Sequence, residues 1–167
     1  MKPNKLPLLG RINELVSYDA DSGVFTWKVD RGGKAKAGLA AGSLRADGYF
    51  ALCLDGKSCV AARIAWFVAT GSDPDLLDVD HIDGDKCNNR ISNLRLASES
   101  QNCANRKRRS DNKSGFKGVY AMGKKWAASV TSNKKRVHLG LFETPELAYS
   151  AYVSVATVKH AEFARLA

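Results

Sequence analysis

Only three histidines occur in 167 residues, and the four cysteines form no C-x-x-C pair. A structural zinc site usually draws on two close pairs of thiolate or imidazole ligands, so Cys53, Cys59, Cys87 and Cys103 read as reduced, unliganded thiols. No uninterrupted apolar run reaches the roughly 18 residues that a membrane span needs. The basic start from Met1 to Gly10 has no apolar core of secretory length. A cytosolic protein is therefore expected, or a nuclear one in a eukaryote, with no membrane partner. Acids are also in deficit: 17 Asp plus Glu face 26 Lys plus Arg, for a formal net charge of +9. The part before Ser110 carries +4 and the shorter remainder +5, a density that suits a polyanion-binding module. Apolar residues make up 44%, which excludes wholesale disorder.

Along the chain, Leu9, Ile12, Leu15 and Val16 at helical spacing predict a short helical lead within residues 1–20. Val24 to Trp27 reads as a strand after the Asp21-Ser22-Gly23 turn. Gly32 to Leu44 reads as a loop or weak strand. Tyr49 to Leu54 and Ser58 to Val60 form a hairpin about Asp55-Gly56. Ala61 to Thr70 is a short helix stopped by Gly71. Strands follow at Asp80-His81 and Leu94-Arg95-Leu96. Ser98-Glu99-Ser100-Gln101 fits a capping box, with the helix running on to Arg106-Lys107-Arg108-Arg109, where cations suit its C-terminal end. Residues 110–115 form a polar linker. Strands at 118–120, 125–130 and 137–142, with a turn at 132–135, precede a helix that starts at Thr144-Pro145-Glu146. Leu147, Ala148, Ala151, Tyr152, Val155 and Val158 are its expected apolar face. Three strands and one helix make a small two-layer unit.

The chemistry concentrates at Val79-Asp80-His81-Ile82-Asp83-Gly84-Asp85, Asn88-Asn89-Arg90, Asn93-Leu94 and Gln101-Asn102. Neighbouring strand side chains leave opposite faces, so Asp80 and His81 divide the work. Asp80 takes a metal, and His81 is left to deprotonate a water on the far side of a phosphodiester. Asn102 offers an amide oxygen as a second hard ligand, and the resulting oxygen shell suits one Mg2+ or Mn2+. Asn93 is placed to bond backbone across the loop and hold His81 in register. Asn88 and Asn89 read as loop formers, with Asn89 able to buttress the site. Asp83-Gly84-Asp85 lacks the ladder of a calcium loop and reads as a hairpin turn. His138 and His160 have no chemical partners in the sequence.

These residues resemble the His-Asn-His (HNH) endonuclease family through Asp80-His81, Asn89-Arg90, Asn93-Leu94 and Gln101-Asn102. The block from Gly48-Tyr49 to Gly71 looks like the phage and mobile-element, homing-type branch. The resemblance implies His81 as general base, Asn93 as the orienting residue, and Asp80 with Asn102 as metal ligands. The last segment is similar to an AP2-type DNA-binding domain through Gly118-Val119-Tyr120, Lys125-Trp126-Ala127-Ala128, Leu139-Gly140-Leu141-Phe142 and Glu146-Leu147-Ala148-Tyr149. The implied fold is α+β: a ββα-metal nuclease core, then a small three-stranded antiparallel sheet plus helix. The implied division is an N-terminal lead over 1–47, a nuclease domain over 48–109, a linker over 110–115 and the AP2-like domain over 116–167. One departure is that this branch carries a histidine just ahead of Arg63, where this chain has Ala62.

The reading is a metal-dependent endonuclease that nicks double-stranded DNA, acting as a monomer in the cytoplasm of a bacterial or phage-infected cell. Expected DNA contacts are Arg63, Arg90, Arg106, Lys107, Arg108, Arg109, Lys117, Lys124, Lys125, Trp126, Lys134, Lys135 and Arg136. Trp126 could equally pack beneath the sheet, and Trp27 and Trp66 read as core. The alternative is a DNA-binding regulator whose cleavage is impaired; a weaker third is a nuclease acting on RNA. Duplex binding is expected to weaken steeply as salt rises, because each neutralised phosphate releases counterions. A titration across ionic strength checks this, and a flat response counts against DNA binding.

Overall fold

The computed structural model describes residues 5–33, 35–133 and 135–166. The chain forms two compact units, Met1–Ala97 and Ser98–Ala167. Among the described residues no helix is long and apolar enough to cross a membrane.

In the first unit, α1 (Leu9–Leu15) stops one residue short of Val16, the last position of the helical pattern in the sequence. Val16 instead begins β1 (Val16–Tyr18), which pairs antiparallel with β2 (Phe25–Trp27). β-Branched Val16 costs little in a strand, and its side chain stays in the core, 2% exposed. β3 (Ser43–Leu44), β4 (Phe50–Leu54) and β5 (Lys57–Val60) form an antiparallel sheet in that order. α2 (Ala61–Thr70) ends on Gly71 at φ +72, the left-handed cap that glycine adopts without a Cβ penalty. The hairpin of β6 (Asp78–His81) and β7 (Leu94–Ala97) completes the unit. One core gathers Ile12, Leu15, Phe25, Trp27, Leu52, Leu54 and Ile64 with the small side chains of α2. Ala62 lies inside it, 1% exposed. An imidazole at position 62 would have to displace core neighbours, which costs about 1–3 kcal/mol in a packed interior.

In the second unit, α3 (Glu99–Asn105) begins with the expected capping box, both reciprocal bonds being present at Ser98 and Gln101. It is shorter than expected. Arg106 is already extended at φ −59, ψ 141, so Arg106 to Arg109 follow the helix rather than ending it. The polar stretch read as a linker is a hydrogen-bonded turn. Asn112 Nδ2 donates to the carbonyls of Phe116 and Val119, and Ser114 Oγ bonds Asn112 and Val119. β8 (Val119–Met122), β9 (Lys125–Ser132) and β10 (Lys135–Phe142) form an antiparallel sheet with β9 central. α4 (Pro145–His160) packs on one face, with Thr144 Oγ1 accepting from Leu147 N–H at 3.3 Å as its N-cap. Its buried face is Ala148, Tyr152, Ala156 and His160. Leu147 and Val158, expected inside, are 54% and 83% exposed, because the strictly four-residue spacing of the other four leaves both off the contact line.

The ammonium of Lys117 is turned inward. It donates to the carbonyls of Ala104 at 2.5 Å, Arg106 at 2.7 Å and Arg165 at 3.1 Å. Lys117 thus satisfies carbonyls at the end of α3 and ties them to the segment after α4. Burial, with the Arg165 charge nearby, pushes its pKa down to about 8; at neutral pH the three acceptors still face an ammonium. Lys117→Met strands those carbonyls, and we expect it to cost about 1–3 kcal/mol in denaturant melts. The folded-state pKa lies below that of an exposed lysine. Folding therefore releases protons between pH about 8 and the ordinary lysine value, and stability rises with pH across that window. Melts at pH 7 to 10 should show that rise in the parent and not in Lys117→Met.

Candidate active site

Pairing in the β6–β7 hairpin sets Asp80 opposite Arg95 and His81 opposite Leu94. Asp80 and His81 therefore leave opposite faces, yet each is only 5% exposed. A buried ionisable group needs a partner, and each face supplies one. On one face, Arg95 Nε and Nη2 both lie 3.0 Å from Asp80 Oδ2. On the other, His81 Nε2 lies 3.1 Å from Asn89 Oδ1. The Asn89 amide nitrogen donates to the Cys87 carbonyl at 3.2 Å, which turns its oxygen toward the imidazole. Asn89 Oδ1 accepts when Nε2 carries the hydrogen, the tautomer whose acceptor nitrogen is Nδ1. The Tyr49 ring sits beside His81, with centroids 6.2 Å apart. Lys86 Nζ lies 4.4 Å over Tyr49 and donates to the Asp47 carbonyl at 2.8 Å.

The turn between the strands is a lattice of amides and carboxylates. Asn93 Oδ1 accepts from Asp83 N–H at 3.1 Å, and its Nδ2 donates to Asp83 Oδ1 at 3.0 Å and to the Asn88 carbonyl at 2.8 Å. Asn88 Nδ2 donates to Asp83 Oδ2 at 2.7 Å. Burial pushes the Asp83 carboxyl up, but the Asp85 N–H, Asn88, Asn93 and the nearby His81 together hold it below the usual carboxylate range. Asn93 thus ties the Asp83 and Asn88 backbone together across the loop.

The amino-terminal segment pins the other end of this turn. Tyr18 Oη donates to the Asn89 carbonyl at 2.7 Å, Ile91 N–H to the Ala20 carbonyl at 3.1 Å, and Arg90 Nε to the Asp21 carbonyl at 2.9 Å. Gly23, at φ +75, approaches so closely that a Cβ would lie 2.6 Å from both Arg90 N and Asn89 C. Only glycine fits that backbone conformation and that gap.

Asp80, His81 and Asn93 are thus brought together in the first unit, and Asn102 stands on α3 in the second. Arg63, expected at DNA, is 13% exposed and donates to the carbonyls of Leu77 at 2.7 Å and Asp75 at 2.8 Å. Its charge holds the approach to β6 instead. Lys117 is likewise spent on carbonyls. Trp126 packs with the core beneath the sheet, on the same face as Ala128 and Val130. Arg90, Arg106, Lys107, Arg108, Arg109, Lys124, Lys125, Lys135 and Arg136 are exposed; Lys125 pairs with Glu143 at 2.7 Å, and Arg136 covers the Tyr120 ring at 4.7 Å. Lys134 lies outside the described residues. Sequence reasoning missed Arg95, Tyr49, Tyr18 and Gly23. For Arg95 a signal existed, a cation flanked by two leucines on a strand.

Among the described residues no three His, Cys, Asp or Glu side chains gather to hold a metal. A cation at Asp80 would therefore complete its shell with amide, water and phosphate oxygens. That hard donor set fits Mg2+ or Mn2+ in kind.

Residues 59–104 match the family profile described as HNH endonuclease. The chain is 37% identical over 73 residues to Protein 3.8 of Escherichia phage T7, covering 42% of this chain and 60% of that protein. It is also 37% identical over 109 residues to an uncharacterized HNH endonuclease of Acanthamoeba polyphaga mimivirus, covering 65% of this chain and 57% of that one. The chain thus spans less than two thirds of the length of these curated relatives. No solved structure matches it.

Gly23→Ala should displace the Asn89–Arg90 backbone and cost about 1–3 kcal/mol, while Gly10→Ala, with nothing within 4 Å of the added carbon, stays at parental stability. Melting both variants, and following the His81 ring resonances, checks whether the clash reaches the site.

Proposed function

We propose that the chain is a metal-dependent DNA endonuclease of HNH type that hydrolyses one phosphodiester at a time. The observation that carries this reading is the His81 ring, buried at a strand end and bonded by Asn89, with Asp80 on the opposite face of the same strand end, within the stretch similar to HNH endonucleases. His81 Nδ1 takes a proton from a water. The water oxygen forms the new bond to phosphorus, and the bond from phosphorus to a sugar oxygen breaks on the opposite side. Asn93 holds the turn that carries the base. As the resemblance implies, Asp80 and Asn102 would hold one Mg2+ or Mn2+. Such an ion supplies positive charge for the phosphate and the departing oxygen.

In the same proposal the nuclease function resides in residues 48–109, and residues 116–167 act as an AP2-like module that positions the enzyme on duplex DNA. The exposed Lys124, Lys125, Lys135 and Arg136, with the basic run from Arg106 to Arg109 and with Arg90, are the proposed phosphate contacts. A homing-type enzyme working in the cytoplasm of a phage-infected or bacterial cell is the setting that suits this reading, and one site per monomer accounts for nicking. The competing reading, a regulator that binds DNA without cutting, leans on Ala62. That residue is enclosed in the α2 core, so its identity weighs little on the chemistry.

The test is cleavage of supercoiled plasmid by the parent and by His81→Ala, with Mg2+, Mn2+ or EDTA. We expect relaxed circles that require metal, and a loss of about 10²- to 10⁴-fold in His81→Ala with duplex affinity retained. A folded, DNA-binding parent that cuts nothing under any of these ions would favour the regulator.

A further inference from the structure

The Asp80–Arg95 pair is built by strand register. The two residues face each other across β6 and β7, and their side chains are 4% and 14% exposed. Both guanidinium donors converge on the same carboxylate oxygen, Oδ2, at 3.0 Å. Charge-assisted hydrogen bonds of this kind are stronger than neutral ones. Arginine also keeps its charge at any working pH.

Resting on the endonuclease reading above, we infer that Arg95 is the resident counter-ion of the metal carboxylate, and that it makes divalent-cation binding depend on the arrival of the DNA phosphate. A carboxylate this buried requires charge compensation, and Arg95 provides it before any ion arrives. Placing a divalent cation beside an already neutral pair leaves an excess of positive charge at a site with little water to screen it. A phosphodiester brings the missing negative charge. Metal and DNA therefore bind more tightly together than either does alone, and the coupling acts equally in both directions. The free protein keeps its hydrolytic site unloaded, and a phosphodiester seated beside Asp80 completes it.

The experiment is calorimetric titration of the full chain with Mn2+ in the absence of DNA, for the parent, Arg95→Met, Arg95→Gln and Asp80→Asn. Thermal melts of each with and without Mn2+ run alongside. The parent should bind Mn2+ only in the millimolar range, with a melting temperature that Mn2+ does not move. Arg95→Met should bind at least about tenfold more tightly and be stabilised by Mn2+, and Asp80→Asn should do neither. If Arg95→Met folds only when Mn2+ is present, the ion has replaced the guanidinium and the inference holds. If it does not fold at all, Arg95→Gln, which keeps a donor and loses the charge, is read in its place. A parent that binds Mn2+ at low micromolar concentration without DNA overturns the inference, as does an uncharged variant no tighter than the parent. Plasmid cleavage in the same preparations separates the two readings. Tight metal binding with cleavage defeats only the role of Arg95, whereas absence of both metal binding and cleavage, with duplex present, defeats the nuclease reading as well.

Discussion

Two ionisable side chains stand next to each other at the end of one strand, and both are buried. Alternation along the strand sends them to opposite faces, so no single partner could satisfy both. The fold supplies two separate solutions. Arg95 arrives by the simplest possible route, directly across the hairpin. Asn89 arrives through the turn, and it holds its amide toward His81 because its own backbone is gripped by Tyr18 and by the close approach of Gly23. The first two strands, the turn at residues 19–23 and the amide lattice of residues 83–93 all converge on keeping one imidazole in one orientation.

Cationic side chains divide by the same logic into those that build and those that remain at the surface. Arg63 and Lys117 carry formal charge but are spent on backbone carbonyls at segment ends, where unpaired acceptors would be costly. Neither is available to a phosphate in this arrangement. The exposed group on the second unit's turns and strand ends, with the run after α3, holds the charge that gives the molecule its positive field. Net charge alone does not reveal this division, because an arginine that braces a loop and one that waits for a ligand count the same.

Local chemistry was the legible part of the sequence. The Ser98–Gln101 capping box, the Thr144-Pro145 helix start, the glycine stop after Thr70 and the hairpin about Asp55-Gly56 each depend on residues a few positions apart, and each is present. The cluster of Asp80, His81 and Asn93 could be picked out for the same reason: one short turn holds it. What escaped were partners brought in over long sequence distances. Tyr18 and Gly23 lie some seventy positions from the turn they fix. Lys117 reads as one more exposed lysine until the segment after α4 folds back to meet it. The length of α3 was overestimated because a basic run suits a helix end electrostatically, yet Arg106 has already left the helix.

The grip of the amino-terminal segment on Asn89 also separates two notions of a module. The family profile picks out residues 59–104, a stretch that begins after Tyr18 and Gly23 and crosses the division between the compact units at Ala97. The stretch that matches the profile is thus not a piece that could be excised and transplanted. The pattern holds the groups that face the chemistry, while Tyr18 and Gly23, which fix the Asn89 loop, lie outside it. A grafted copy of residues 59–104 would carry the reactive groups without the frame that aims them.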